Sequence, residues 1–267
     1  MEPNSWCQSK MKWIWVKKLL RKLFYGLPYE IQLIACKILP GERGRIQYEN
    51  VQREKWVRKS YSEFGKKQRE YIFMSIARFC HINRPLEGYY FEFGSHEGNT
   101  MRMAWDHFHN LFDWEYVAFD SFEGLPEVAE IDQQEIWEKG KLKTEESEFI
   151  KIVTRHGLKA AKLMTVKGFY EESLIDELAE KLLPKKAVVI YIDCDLYAST
   201  VPVLRFVKPF IQKGTIIVFD DWYCFHGDPN KGERRAFHEF TEANPELEFE
   251  PFVHTNEAQS FVFVGRK

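Results

Sequence analysis

Two short runs of the chain end in paired carboxylates. "VVIYIDCDLYAST" carries Asp193 and Asp195 just beyond an apolar stretch, and "TIIVFDDWYCF" carries Asp220 and Asp221 just beyond the next one. If the two stretches are adjacent parallel strands, their C-terminal ends open on one edge of the sheet. Ligands of open α/β sheets bind at that edge. Crowded acids repel one another and take up protons unless a cation sits among them. Ligands that are all oxygen favour a hard ion such as Mg2+. One of the four acids is expected to cap the following helix instead, with Asp195 the choice. A divalent ion chelates two neighbouring hydroxyls of a substrate and lowers the pKa of one, and an adjacent carboxylate can take that proton. The resulting alkoxide would attack an activated methyl group in line, with much of the rate coming from positioning.

A second stretch, "YFEFGSHEGNT" at residues 90–100, would supply the other reactant. Its spacing, Glu92, Gly94, Gly98, follows a strand and precedes a helical run that begins near Thr100. This is not the G-x-G-x-x-G dinucleotide fingerprint. The first glycine allows a tight turn, and the second lets the next helix approach closely. The loop leaves backbone N–H groups at a helix N-terminus. Phosphate would favour a neutral or basic loop, whereas Glu92 and Glu97 point to a ligand with positive charge or many donors. S-adenosylmethionine, with a sulfonium, an ammonium and ribose hydroxyls, fits; a turn without a ligand is the alternative. Asp120, 26 residues after Gly94, ends the next apolar run in "YVAFDSFEGLP". An acid there commonly binds a ribose diol, or else caps a turn.

These residues need a sheet to hold them. Apolar, β-rich runs at 88–94, 115–119, 162–166, 187–192 and 215–219 alternate with stretches long enough for crossover helices. That pattern predicts an α/β fold around a mostly parallel sheet. Two more runs, 247–254 and 259–264, are separated by only four residues and read as an antiparallel hairpin. Ser199 or Thr200 is expected to cap a helix with Pro202 in its first turn. Lys213-Gly214 is expected to end that helix, and Pro209 to kink or split it.

The chain has 267 residues, 38 Lys and Arg against 40 Asp and Glu, and 45% hydrophobic content. This supports one large domain with an appended segment, read as a helical extension over 1–85 and a catalytic domain over 86–267. The charge balance argues against nucleic acid as a partner. Five widely spaced cysteines without a C-x-x-C suit a reducing cytoplasm rather than a disulfide or zinc framework. No run is long and apolar enough to span a bilayer, and no signal peptide is expected. Residues 10–27 are basic, with Trp13, Val16, Leu19, Leu20, Leu23 and Phe24 on one helical face. This gives either peripheral contact at the inner face of a membrane or a helix packed on the domain or a second subunit. A homo-oligomer is expected. His96, His226 and His238 are further candidates for contact with substrate.

Taken in order, "FEFGSHEGNT", "FDSFEGLP", "VKGFYEESL", "IDCDLYAST" and "KGTIIVFDDW" resemble the macrocin O-methyltransferase family over roughly residues 86–243. The resemblance implies a Rossmann-like class I methyltransferase fold: a mostly parallel seven-stranded sheet, a terminal antiparallel hairpin and, here, an N-terminal helical extension. It implies an S-adenosylmethionine-dependent, Mg2+-dependent sugar O-methyltransferase. The implied metal ligands are Asp193, Asp220 and Asp221, with Asp193 doubling as general base. The implied cofactor contacts are Glu92, Gly94 and Ser95, then Asp120 with Ser121, and Gly168-Phe169 near the adenine. The acceptor would be a sugar of a glycan, glycolipid or glycosylated metabolite, as in polysaccharide biosynthesis. The chain departs from the family's usual D-G-D at Asp193-Cys194-Asp195 and from its G-G at Lys213-Gly214. Residues 126–160, long and charged with Trp137 and Gly140, are a candidate lid, a question the sequence leaves open. The alternatives are a catechol-type small-molecule O-methyltransferase and a nicotinamide-dependent sugar dehydrogenase or epimerase. The missing fingerprint and the terminal hairpin argue against the latter.

Overall fold

The computed structural model describes residues 23–24, 27–38, 42–134 and 136–266. Most of the basic 10–27 segment therefore lies outside the described residues. The chain divides into two compact units, residues 1–67 and 68–267. The first contains α1 (Tyr29–Ile38) and the larger part of α2 (Glu42–Ile82), which runs on into the second. Within the first unit Lys55 pairs with Glu30 at 2.7 Å. Among the described residues no helix is long and apolar enough to cross a membrane.

The second unit is built on a seven-stranded sheet in the order β3-β2-β1-β4-β5-β7-β6. The strands are β1 (Tyr89–Phe93), β2 (Glu115–Asp120), β3 (Leu163–Lys167), β4 (Ala187–Ile192), β5 (Ile211–Phe219), β6 (Leu247–His254) and β7 (Gln259–Arg266). β1 to β5 are parallel, and β7 returns antiparallel against β5 and β6. The predicted α/β sheet and its terminal hairpin are both present. β1 and β4 are buried along their whole length, as continuous Val, Ile and aromatic runs require when helices cover both faces. One face packs on Ile72, Phe73 and Ile76 of α2, on α3 (Asn99–Phe108) and on α4 (Glu146–His156). The other packs on α7 (Tyr197–Val207) and α8 (Gly232–Ala243), with short α5 (Tyr170–Ser173) and α6 (Asp176–Leu182) between β3 and β4.

Two local expectations need correction. α7 begins at Tyr197, so Ser199 and Thr200 lie inside it, and the Thr200 hydroxyl donates to Leu196 O at 2.7 Å. The cap comes from far away in sequence: the buried carboxylate of Asp132 accepts from the N–H groups of Tyr197 (2.8 Å) and Ala198 (3.0 Å). α7 also ends early, at Val207, and Pro209 sits in a single 3-10 turn that leads directly into β5. Lys213-Gly214 therefore lies within a strand; Gly214, at φ +91°, approaches the Leu86 side chain closely. Proline splits this segment, and the second piece is strand because Ile211 already pairs with Ala187.

Candidate active site

The strand ends converge as their spacing suggested. Gly94 follows β1 at φ +86°, and a Cβ there would stand 1.8 Å from the Asp193 carbonyl oxygen. Only glycine lets the β1 turn pass so close to the end of β4. Gly98, at φ +67° before α3, would put a Cβ 2.6 Å from Val153, so the second glycine serves close helix packing. Between them the N–H groups of Ser95 (2.8 Å) and His96 (3.0 Å) donate to Asp120 Oδ2, and Phe122 N–H donates to Oδ1 at 2.6 Å. Asp120 thus ties the β1 loop to the end of β2. A carboxylate oxygen accepts two hydrogen bonds, so Oδ1 retains capacity for one more donor.

A cavity of about 400 Å3 lies over these ends. Gly94, Ser95, Asp120, Ser121, Gly168 and Phe169 line it on one side, and Asp193, Asp195, Asp220 and Asp221 on the other. Trp137 and Leu142 of the candidate lid segment also line it. The later part of that segment does not; α4 instead buries Phe149 and Val153 in the core. Glu92 is the one predicted cofactor residue outside the lining. It is fully buried beneath the loop, where Tyr90 OH donates to its Oε2 at 2.5 Å. Burial pushes its carboxyl up to about 7, with the Tyr90, Ser95 and Thr100 hydroxyls pulling the other way. Of the candidate histidines only His96 lines the cavity, with Nδ1 3.1 Å from Thr144 Oγ1. His238 stacks edge-on to Trp222 instead.

The acids sort differently from expectation. Carboxylate oxygens of Asp193, Asp195 and Asp221 all lie within 4.8 Å of one another. Asp195, expected to be the cap, is buried at φ +63° and belongs to this cluster. Both oxygens of Asp220 are engaged: Arg69 Nε donates to Oδ1 at 3.2 Å, a second Arg69 nitrogen donates to Oδ2, and Tyr191 OH donates to Oδ1. Asp221 is held from below, its N–H donating to Glu233 Oε2 at 3.1 Å. Asp221 Oδ2 and Glu233 Oε1 are buried with no donor among the described residues. Burial, then neighbouring Asp220 and Asp221, raises Asp193 well above the usual carboxylate range; burial also raises Asp195, Asp221 and Glu233. At Arg69 burial opposes the charge, but adjacent Asp220 outweighs it and the pKa rises. Among these acids the Arg69 guanidinium pairs with Asp220.

A family model described as macrocin-O-methyltransferase (TylF) matches residues 42–248. The chain belongs to the macrocin-O-methyltransferase family. It is an S-adenosylmethionine-dependent O-methyltransferase. Among solved structures, the O-methyltransferase NovP is similar with a TM-score of 0.58 at 19% identity, covering 74% of this chain and 80% of that one. CalS11, a calicheamicin methyltransferase, is similar with a TM-score of 0.59 at 17% identity, covering 98% of this chain and 94% of that one. The apo form of CalS11, described as a TDP-rhamnose 3'-O-methyltransferase, gives 0.52 at 18% identity over 72% and 79%. At these identities the likeness speaks for the fold. No protein with a curated description matches. In this macrocin-family chain, sequence reasoning missed Arg69, Asp132 and Glu233. Arg69 lies 151 residues from its partner on an otherwise ordinary charged helix, and Glu233 reads as a first-turn acid of α8. Nothing in their immediate neighbours marks either.

Proposed function

We propose that the cavity binds S-adenosylmethionine beside a divalent cation, and that the methyl group goes to a sugar hydroxyl. The observation that carries this reading is one cavity lined by both the Gly94 loop and the Asp193, Asp195 and Asp221 cluster. Oxygen-only donors suit Mg2+ or a similar hard ion. Within the cluster, the buried Asp221 Oδ2 has no donor among the described residues, as an uncompensated cation site would leave it. A sugar acceptor is supported by the family description and by the rhamnose substrate named for CalS11.

Asp193 and Asp221 belong both to the expected ligand set and to the observed cluster. For the third, geometry favours Asp195, because Arg69 and Tyr191 already hold Asp220. When bound, the cation would lower the pKa of a chelated acceptor hydroxyl. Asp193, in the acidic cluster beside that hydroxyl, would take the proton on its carboxylate. The Ser95 and His96 backbone, pinned by Asp120, would hold the methyl donor, and the open Oδ1 position of Asp120 would accept from a ribose hydroxyl. Trp137 and Leu142 would screen one side of the cavity from water.

Mn2+ titration by calorimetry tests the metal assignment. Asp193→Asn and Asp195→Asn should each lose Mn2+ affinity by about tenfold or more, as loss of a direct ligand should at least match the 10–100-fold cost of losing an outer-shell partner, while Asp220→Asn loses far less. No Mn2+ binding by the unaltered protein would sink the metal. Loss confined to Asp220→Asn would return the third ligand to Asp220.

A further inference from the structure

α1 is built the wrong way round for a helix that covers a core. Ile31, Ile34 and Ile38 are 47%, 60% and 78% exposed, and Leu27 just before the helix is 41% exposed. At about 100° per residue the three isoleucines fall within about 60° of one another, a single stripe. The buried residues of this helix are Gln32 and Cys36, on the other side. A helix of a water-soluble protein normally turns its apolar stripe inward. A contiguous apolar surface facing out marks an interaction site.

We propose that this face of α1 docks on an anionic lipid surface. Charge selects that occupant. The sequence just before it carries Lys10, Lys12, Lys17, Lys18, Arg21 and Lys22, with no acid from residue 10 to residue 22. Anionic headgroups attract such a run. Trp13 and Trp15 lie in the same run, and tryptophan favours the membrane–water interface. Lysine and arginine stems can lie along the apolar boundary with their charges in water. A second copy docking through this same face would bring the same six cations, so its charge there does not complement this region. No described helix can cross a bilayer, so the contact is one of lying in the interface.

Co-sedimentation of the full chain tests the proposal, using phosphatidylcholine vesicles with and without phosphatidylglycerol at low and high salt. The unaltered protein should pellet with the anionic vesicles, and less so at high salt. A variant carrying Ile31→Glu, Ile34→Glu and Ile38→Glu should lose about tenfold or more in partitioning, with an unchanged thermal melt. A second variant, Lys17→Glu with Lys18→Glu, leaves α1 intact and should lose binding at low salt. Equal pelleting of all three proteins, or none with anionic vesicles, overturns the proposal. So does sedimentation velocity showing that the unaltered chain is a dimer, the isoleucine variant a monomer, and neither binds vesicles.

Discussion

Asp132→Ala isolates the contact that joins the 126–160 segment to the first turn of α7. Asp132 is fully buried and sends one carboxylate oxygen to each of two N–H groups in the first turn of α7, at 2.8 and 3.0 Å. Lys231 Nζ donates to Ile131 O at 2.7 Å and so holds the short 3-10 turn that carries Asp132. Each hydrogen bond to a charged group contributes about 1.5–3 kcal/mol, and the negative charge at a helix N-terminus adds about 0.5 kcal/mol. Against this stands the cost of holding a carboxylate out of water, which the alanine removes. The net loss is therefore about 2–4 kcal/mol, above the ~1 kcal/mol typical of an exposed cap. Asp132→Asn keeps one acceptor oxygen and should lose about half as much. With a urea slope of about 3 kcal/mol/M, the alanine variant should shift the unfolding midpoint by about 1 M. Hydrogen exchange at the Tyr197 and Ala198 amides gives the local readout, and protection there should fall before the rest of α7. A midpoint unchanged within error, or Asn as damaging as Ala, would refute the reasoning.

The remaining predictions concern the loop, the buried acid beneath it and the guanidinium. Gly94→Ala should cost about 2 kcal/mol from its left-handed backbone alone. The 1.8 Å approach to Asp193 O should also abolish measurable S-adenosylmethionine binding in calorimetry. Glu92 has its folded pKa raised from 4.5 to about 7, so the folded state holds the proton that the unfolded state releases. Stability should fall as pH rises through that window, by up to about 3 kcal/mol from this group. Thermal melts from pH 4.5 to 8 should show Glu92→Gln flatter than the unaltered protein by that amount. Arg69→Met leaves Asp220 buried without its cation and should cost about 3–5 kcal/mol at neutral pH. Adding Asp220→Asn should recover part of that loss in urea denaturation.

Local patterns carried most of the framework. The seven strands were legible because a strand buried on both faces is a continuous apolar run, as in residues 187–192, and because four residues between 254 and 259 permit only a hairpin. Glycine at 94 and the acids at 120, 193, 220 and 221 were legible because they sit at strand ends, where chemistry and turn geometry coincide. The roles of the acids were not. Whether Asp195 caps α7 or joins the cluster depends on Asp132, 65 residues away. Whether Asp220 is open depends on Arg69. Glu92 lies beneath the loop rather than in the cavity lining, hydrogen-bonded to Tyr90 on the same face of β1, a contact that strand periodicity alone does not reveal. The end of α7 was misjudged because Lys213-Gly214 looks like a helix terminus, while pairing between Ala187 and Ile211 makes it strand.

The most direct test of the account is calorimetry of the full chain with S-adenosylmethionine, S-adenosylhomocysteine and NAD, with and without Mg2+. Saturable binding of the first two, and none of NAD, is the predicted result. Binding of NAD without S-adenosylmethionine would contradict the assignment of this cavity.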